Sequence, residues 1–138
     1  VEIFHGGPGL SISIINRQAR TYFQKNLKKY NLGPGQQAYL LALRPGEALP
    51  QEVLSERLQV DRANVTRAVK VLTGLGYFKR EETPSDSRVR LISLTEKGME
   101  VREEVRVIAL QWIEKLKSRV TDDEWEVMEQ ALEKIARG

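Results

Sequence analysis

A chain of 138 residues, 41% apolar and 30% charged, has the size of one domain and can bury roughly two-thirds of its unfolded surface. It has no cysteine, which excludes disulfides, thiol oxidation and thiolate metal sites, and one histidine, His5, which makes a multi-histidine metal site or a histidine-based triad hard to build. The net charge of +3 is small but unevenly spread: residues 10–33 carry five bases and no acid, 34–94 nine and seven, 95–138 eight and eleven. A basic front and an acidic tail suit a polyanion held at one end of the molecule.

Gly6-Gly7-Pro8-Gly9 reads as a leader. The apolar residues Ile12, Ile15, Ala19, Tyr22, Phe23 and Tyr30 recur by threes and fours and predict a helix over 10–30. Asn31-Leu32-Gly33-Pro34-Gly35 ends it, and a second helix is expected from about Pro34 to Leu43, stopped by Arg44-Pro45-Gly46. Two short helices then lie close together. Pro50 suits a first turn, and Val53, Leu54 and Leu58 give the first of the pair its buried side. Gln59-Val60 turns the chain and Asp61 caps a helix over 61–75, with Val65, Ala68, Val69 and Leu72 facing inward and Gly76 as its stop. Tyr77–Glu82 and Arg88–Leu94 read as strands joined by Thr83-Pro84-Ser85-Asp86-Ser87, a run of turn formers. Thr95 caps a further helix, and Thr121-Asp122-Asp123-Glu124 is a capping box that opens the last.

The close pair has the makings of a helix–turn–helix: small Ser55 near the crossing, apolar Leu54, Leu58, Val60 and Val65 flanking the turn, and Gln59 at a left-handed position that glycine often fills. In the basic hairpin beside it, Asp86 stands two residues before Arg88. Its carboxylate can accept from arginine or from loop amides and fix a wing that reaches the minor groove.

Leu72, Gly76, Tyr77 and Arg80, followed by Asp86-x-Arg88 and Leu94-Thr95-Glu96-Lys97-Gly98, resemble the multiple-antibiotic-resistance regulator (MarR) family of winged helix–turn–helix transcription factors. Leu32-Gly33-Pro34-Gly35-Gln36 echoes the opening of that family's second helix, and the resemblance covers roughly residues 10–137. Two departures are Ser55, where alanine is usual, and Gly74-Leu75, where charged residues commonly end the recognition helix. The resemblance implies a cytoplasmic homodimer on a palindromic operator, often a repressor released by a small aromatic anion.

The expected fold is mainly α with a small β-hairpin wing: a leader and dimerisation helix over 1–33, a winged helix–turn–helix DNA-binding domain over 34–94, and dimerisation helices over 95–138, in one compact protomer. The expected partners are double-stranded DNA and a second copy of the chain. Leu10, Ile12, Ile14, Trp112, Trp125 and Met128 are expected to need that second copy. Arg62, Asn64, Thr66 and Arg67 are candidates for base contacts, since the start of a recognition helix approaches the base edges. Gln51, Ser55 and Lys70 are candidates for phosphates, and Arg88, held by Asp86, for the minor groove, with Arg90 and Lys79 nearby. Arg17, Arg20, Tyr39 and Trp112 are candidates for an effector pocket, as a cation and aromatic walls. No cofactor, metal or catalytic constellation is expected, and the acidic residues of 96–133 sit among bases as they do on solvated helices. With no apolar run near the ~20 residues of a membrane span and no secretory signal pattern, no membrane partner is expected. The competing class is a protein-interaction module built on the same scaffold.

Overall fold

Pro8 opens the first helix. In the computed structural model, which describes residues 6–83, 85–86 and 88–138, α1 spans Pro8–Leu27 and continues into a 3₁₀ turn, Lys28–Tyr30. The leader expected over Gly6–Gly9 is therefore half helix, because proline is pre-set for the first helical position, where its missing N–H costs nothing. His5, Pro84 and Ser87 lie outside the described residues. α2 (Gln36–Ala42) begins later than Pro34, since Gly35 is left-handed at φ 77° and the Gln36 side chain reaches back to accept the Gly33 N–H at 2.6 Å.

A strand that the sequence pattern does not predict comes next, β1 (Ala48–Pro50). Three residues are too few to show alternation, and Pro50 is tolerated because β1 is an edge. α3 (Gln51–Leu58) and α4 (Arg62–Gly74) form the close pair. β2 (Phe78–Glu82) and β3 (Arg90–Leu94) form the hairpin, and the antiparallel sheet has the order β1-β3-β2. Leu49 lies opposite Ile92, Phe78 opposite Leu94 and Glu82 opposite Arg90. Both hairpin strands start later than their apolar patterns suggest. Tyr77 belongs to the turn out of α4, where its N–H returns to the Leu72 carbonyl across left-handed Gly76, and Arg88 belongs to the loop.

The core of this region is made by Leu40, Leu54, Val69, Leu72, Phe78 and Ile92, all essentially without solvent contact. It fixes α4 on one side and the hairpin on the other, so the charged residues of both elements are left at the surface.

α5 (Glu96–Lys117) follows, and the chain divides into two compact units, one running to Arg106 and the other Val107–Gly138. The second unit holds the end of α5 and α6 (Asp122–Arg137). α6 starts on the expected capping box: the Thr121 hydroxyl accepts the Glu124 N–H at 3.2 Å, and the Glu124 carboxylate accepts the Thr121 N–H at 3.0 Å. Trp112 corrects an expectation. It is only 6% exposed and needs no second chain to cover it, whereas α6 buries none of its residues. No described helix is long and apolar enough to cross a membrane.

Candidate nucleic-acid interface

The turn between α3 and α4 depends on Gln59, which is left-handed at φ 53°. A non-glycine residue pays about 1–2 kcal/mol for that conformation, and Ser55 supplies compensation. Its carbonyl accepts the Val60 N–H at 3.2 Å, and its hydroxyl donates to the Val60 carbonyl at 2.6 Å. Ser55 is half-buried and its one hydroxyl proton is engaged in the turn. The phosphate contact expected of it therefore has no proton to offer in this arrangement.

α4 is capped as expected, with Asp61 accepting the Asn64 N–H at 2.7 Å. Val65, Ala68, Val69 and Leu72 are buried, which leaves Arg62, Asn64, Thr66, Arg67 and Lys70 exposed. Two of these are held by neighbours. The Thr66 hydroxyl donates to the Arg62 carbonyl at 2.9 Å and accepts from Gln51 Nε2 at 2.9 Å, so Gln51, at the first position of α3, braces the recognition helix. Arg67 donates from Nη2 to Asn64 Oδ1. Between Arg62 and Gly74 the helix carries three bases and no acid.

In the wing, the Thr83 hydroxyl donates to the Asp86 carbonyl at 2.6 Å and accepts the Asp86 N–H at 3.0 Å, which closes the loop. Asp86 Oδ1 accepts the Arg88 N–H at 3.0 Å and Arg88 Nε at 3.1 Å, and Oδ2 lies 3.3 Å from Arg88 Nη2. The guanidinium of Arg88, and then its backbone N–H, hold the Asp86 carboxyl below the ordinary aspartate range. The Arg88 side chain is nonetheless 89% exposed, so it is aimed without being hidden. Lys79 and Arg90 are placed differently from Arg88. Each lies beside a glutamate of the hairpin, Lys79 Nζ 3.3 Å from Glu81 and Arg90 Nη2 3.5 Å from Glu82.

The sequence reading missed the brace behind this surface. Glu47, in the turn before β1, accepts the Arg44 N–H at 2.8 Å and both terminal nitrogens of Arg57 at 2.8 and 2.7 Å, and Arg57 also donates to the Ala42 carbonyl at 2.7 Å. The Arg57 side chain, foremost, lowers the Glu47 carboxyl to about 2. This fork ties the end of α2 to α3 and so fixes where the helix pair begins. Glu47 and Arg57 are ten residues apart across a turn and a strand, and nothing in their spacing separates them from solvated charges.

A model of the MarR family matches residues 30–89, from the end of the first helix to the wing loop. The HTH-type transcriptional regulator BilQ of Clostridioides difficile (strain CD3) is 31% identical over 118 residues, which are 84% of this chain and 80% of that protein. The chain belongs to the MarR family of HTH-type transcriptional regulators. A MarR transcriptional regulator from Methanosarcina mazei Go1 is 31% identical, with a TM-score of 0.80 over 94% of this chain and 93% of that one. A mutant MarR from E. coli, solved in complex with operator DNA, is 24% identical, with a TM-score of 0.80 over 92% and 91%, and shares the fold. The winged helix–turn–helix expected from the sequence is thus the fold of this MarR-family regulator.

The effector candidates of this regulator are less well assembled than the DNA candidates. A groove of about 500 Å³ runs between α1 and the Leu32–Gly35 segment, lined by Arg20 with Phe23, Leu27 and Leu32. Arg17 and Tyr39 are not part of its lining, and Trp112 is in the other unit. The cation is present, and the aromatic wall there is Phe23.

Proposed function

We propose that two copies of this regulator bind a palindromic operator in double-stranded DNA, in the cytoplasm, and repress transcription by occupying it. One observation carries the reading: α4 is fixed by its buried face while its other face presents Arg62, Arg67 and Lys70 with no carboxylate among them, beside a wing whose Arg88 is exposed. Such a helix fits a major groove, and two related by two-fold symmetry would meet successive grooves roughly 34–36 Å apart. A protein that shares this fold was solved with operator DNA, which supports DNA as the partner.

Exposed apolar side chains support the second copy. α1 leaves Leu10, Ile12, Ile14 and Ile15 at the surface, and α6 leaves Val127, Leu132 and Ile135. Release by a small aromatic anion rests on the groove at Arg20 and Phe23.

Fluorescence anisotropy with duplexes drawn from a random library tests the proposal. Affinity should fall by orders of magnitude between about 50 and 200 mM salt, as phosphate contacts require, and selection should recover a palindrome. In the same assay salicylate-like anions should release the duplex from the wild type and not from Arg20→Ala. A chain with no measurable affinity for any duplex would be the protein-interaction module instead.

A further inference from the structure

The hydrogen bond between Arg67 and Asn64 decides what the start of α4 can read. Arginine has donors only, so Asn64 must present Oδ1 to it, and Asn64 Nδ2 is left as the amide's outward group. Thr66 gives its proton to the Arg62 carbonyl and takes one from Gln51, so its hydroxyl keeps a single lone pair. Arg62 and Lys70 are exposed and, like Arg67, have donors alone. Arg62, Arg67, Lys70 and the outward end of the Asn64 amide are therefore N–H donors.

Base edges differ in what they ask of such a surface. Guanine shows two acceptors in the major groove, N7 and O6. Adenine shows an acceptor and an amino donor, and asparagine reads it by accepting from that amino group while donating to N7. Here an adenine amino group brought to Asn64 Oδ1 would meet the guanidinium of Arg67, donor against donor. We propose that Asn64 is a positioning residue that holds the Arg67 guanidinium for the N7 and O6 of a guanine, and that the pair discriminates against adenine at that position of each half-site. This specificity rests on the operator-binding reading above and sharpens it.

The experiment is selection of bound duplexes by the wild type, followed by base-analogue substitution within the recovered site. One position per half-site should be guanine, and 7-deazaguanine there should weaken binding on the order of tenfold. Adenine in place of that guanine, which exchanges the O6 acceptor for an amino donor, should weaken binding at least as much. Asn64→Ala should shrink the 7-deazaguanine penalty several-fold while its thermal melt stays that of the wild type. Asn64→Asp, which keeps the acceptor, should restore the penalty even as its added charge lowers affinity for all duplexes. A half-site that binds as tightly with adenine as with guanine at that position overturns the inference and leaves the regulator reading intact, as does an Asn64→Ala variant with the full guanine penalty. Failure to recover any duplex overturns both.

Discussion

At the scale of single residues, Gly98 is the position where chemistry has least freedom. A Cβ there would lie 2.8 Å from the Tyr77 carbonyl carbon and overlap its oxygen. The same turn is tied by Thr95, whose hydroxyl donates to the Gly76 carbonyl at 2.5 Å and accepts the Gly98 N–H at 2.9 Å, while the Thr95 N–H donates to the Tyr77 carbonyl at 3.0 Å. Leu94-Thr95-x-x-Gly98, which makes the family recognisable, is therefore the joint that packs the start of α5 onto the exit of α4. Gly98→Ala must move backbone, and we expect it to lose on the order of 3 kcal/mol. A denaturant or thermal melt that matched the wild type would reject this close approach. Residues whose partners are local were legible from sequence: Asp61, Thr95 and Thr121 were all expected as caps and act as caps. Ser55 was not, because its partner, Val60, is set by a left-handed turn five residues on, and that turn engages the proton a phosphate would need.

At the scale of elements, the wing combines a legible part with an illegible one. Asp86 and Arg88 are two apart and their interaction follows from spacing, whereas Lys79 and Arg90 depend on where the strands begin. With Glu82 opposite Arg90, the hairpin places a carboxylate 3.5 Å from one of its own candidate DNA cations. A late strand start, which the apolar pattern did not give, creates that pairing. β1 was missed for a related reason: its pairing with β3 is long-range and its three residues carry no pattern of their own. If Arg90 approaches a phosphate, the Glu82 carboxylate opposes it at short range, since exposed pairs are weak and easily exchanged for a stronger anion. Glu82→Gln should then tighten binding to every duplex roughly severalfold at low salt and steepen the salt dependence by up to about one ion, with sequence preference unchanged. Anisotropy titrations at several salt concentrations read both quantities. An unaltered slope and affinity would place Arg90 and Glu82 away from the DNA backbone.

At the scale of the whole molecule, the regulator reading requires two copies, and α6 is where that requirement is most exposed. Val127, Ala131 and Ile135 are four residues apart and so form one line along the helix. Val127 is 68% exposed and Ile135 75%. The sequence reading expected Trp112, with Trp125 and Met128 of this helix, to need a second copy. Periodicity tells which side chains avoid water, not which surface covers them, and only the structure separates the buried Trp112 from the uncovered Ile135. Covering an isoleucine is worth about 1.5–3 kcal/mol, and a two-fold interface uses each residue twice. Ile135→Glu should therefore cost the dimer about 3–6 kcal/mol, a rise of roughly 10²- to 10⁴-fold in its dissociation constant. The single chain should keep its melt, because the side chain it alters is already in water. Sedimentation equilibrium reads the first effect, and binding to the selected palindrome reads its consequence, since one half-site held without the other loses the gain of linked binding. If Ile135→Glu remained a dimer at wild-type concentrations, the stripe on α6 would lie outside the interface and the exposed apolar residues of α1 would have to supply it.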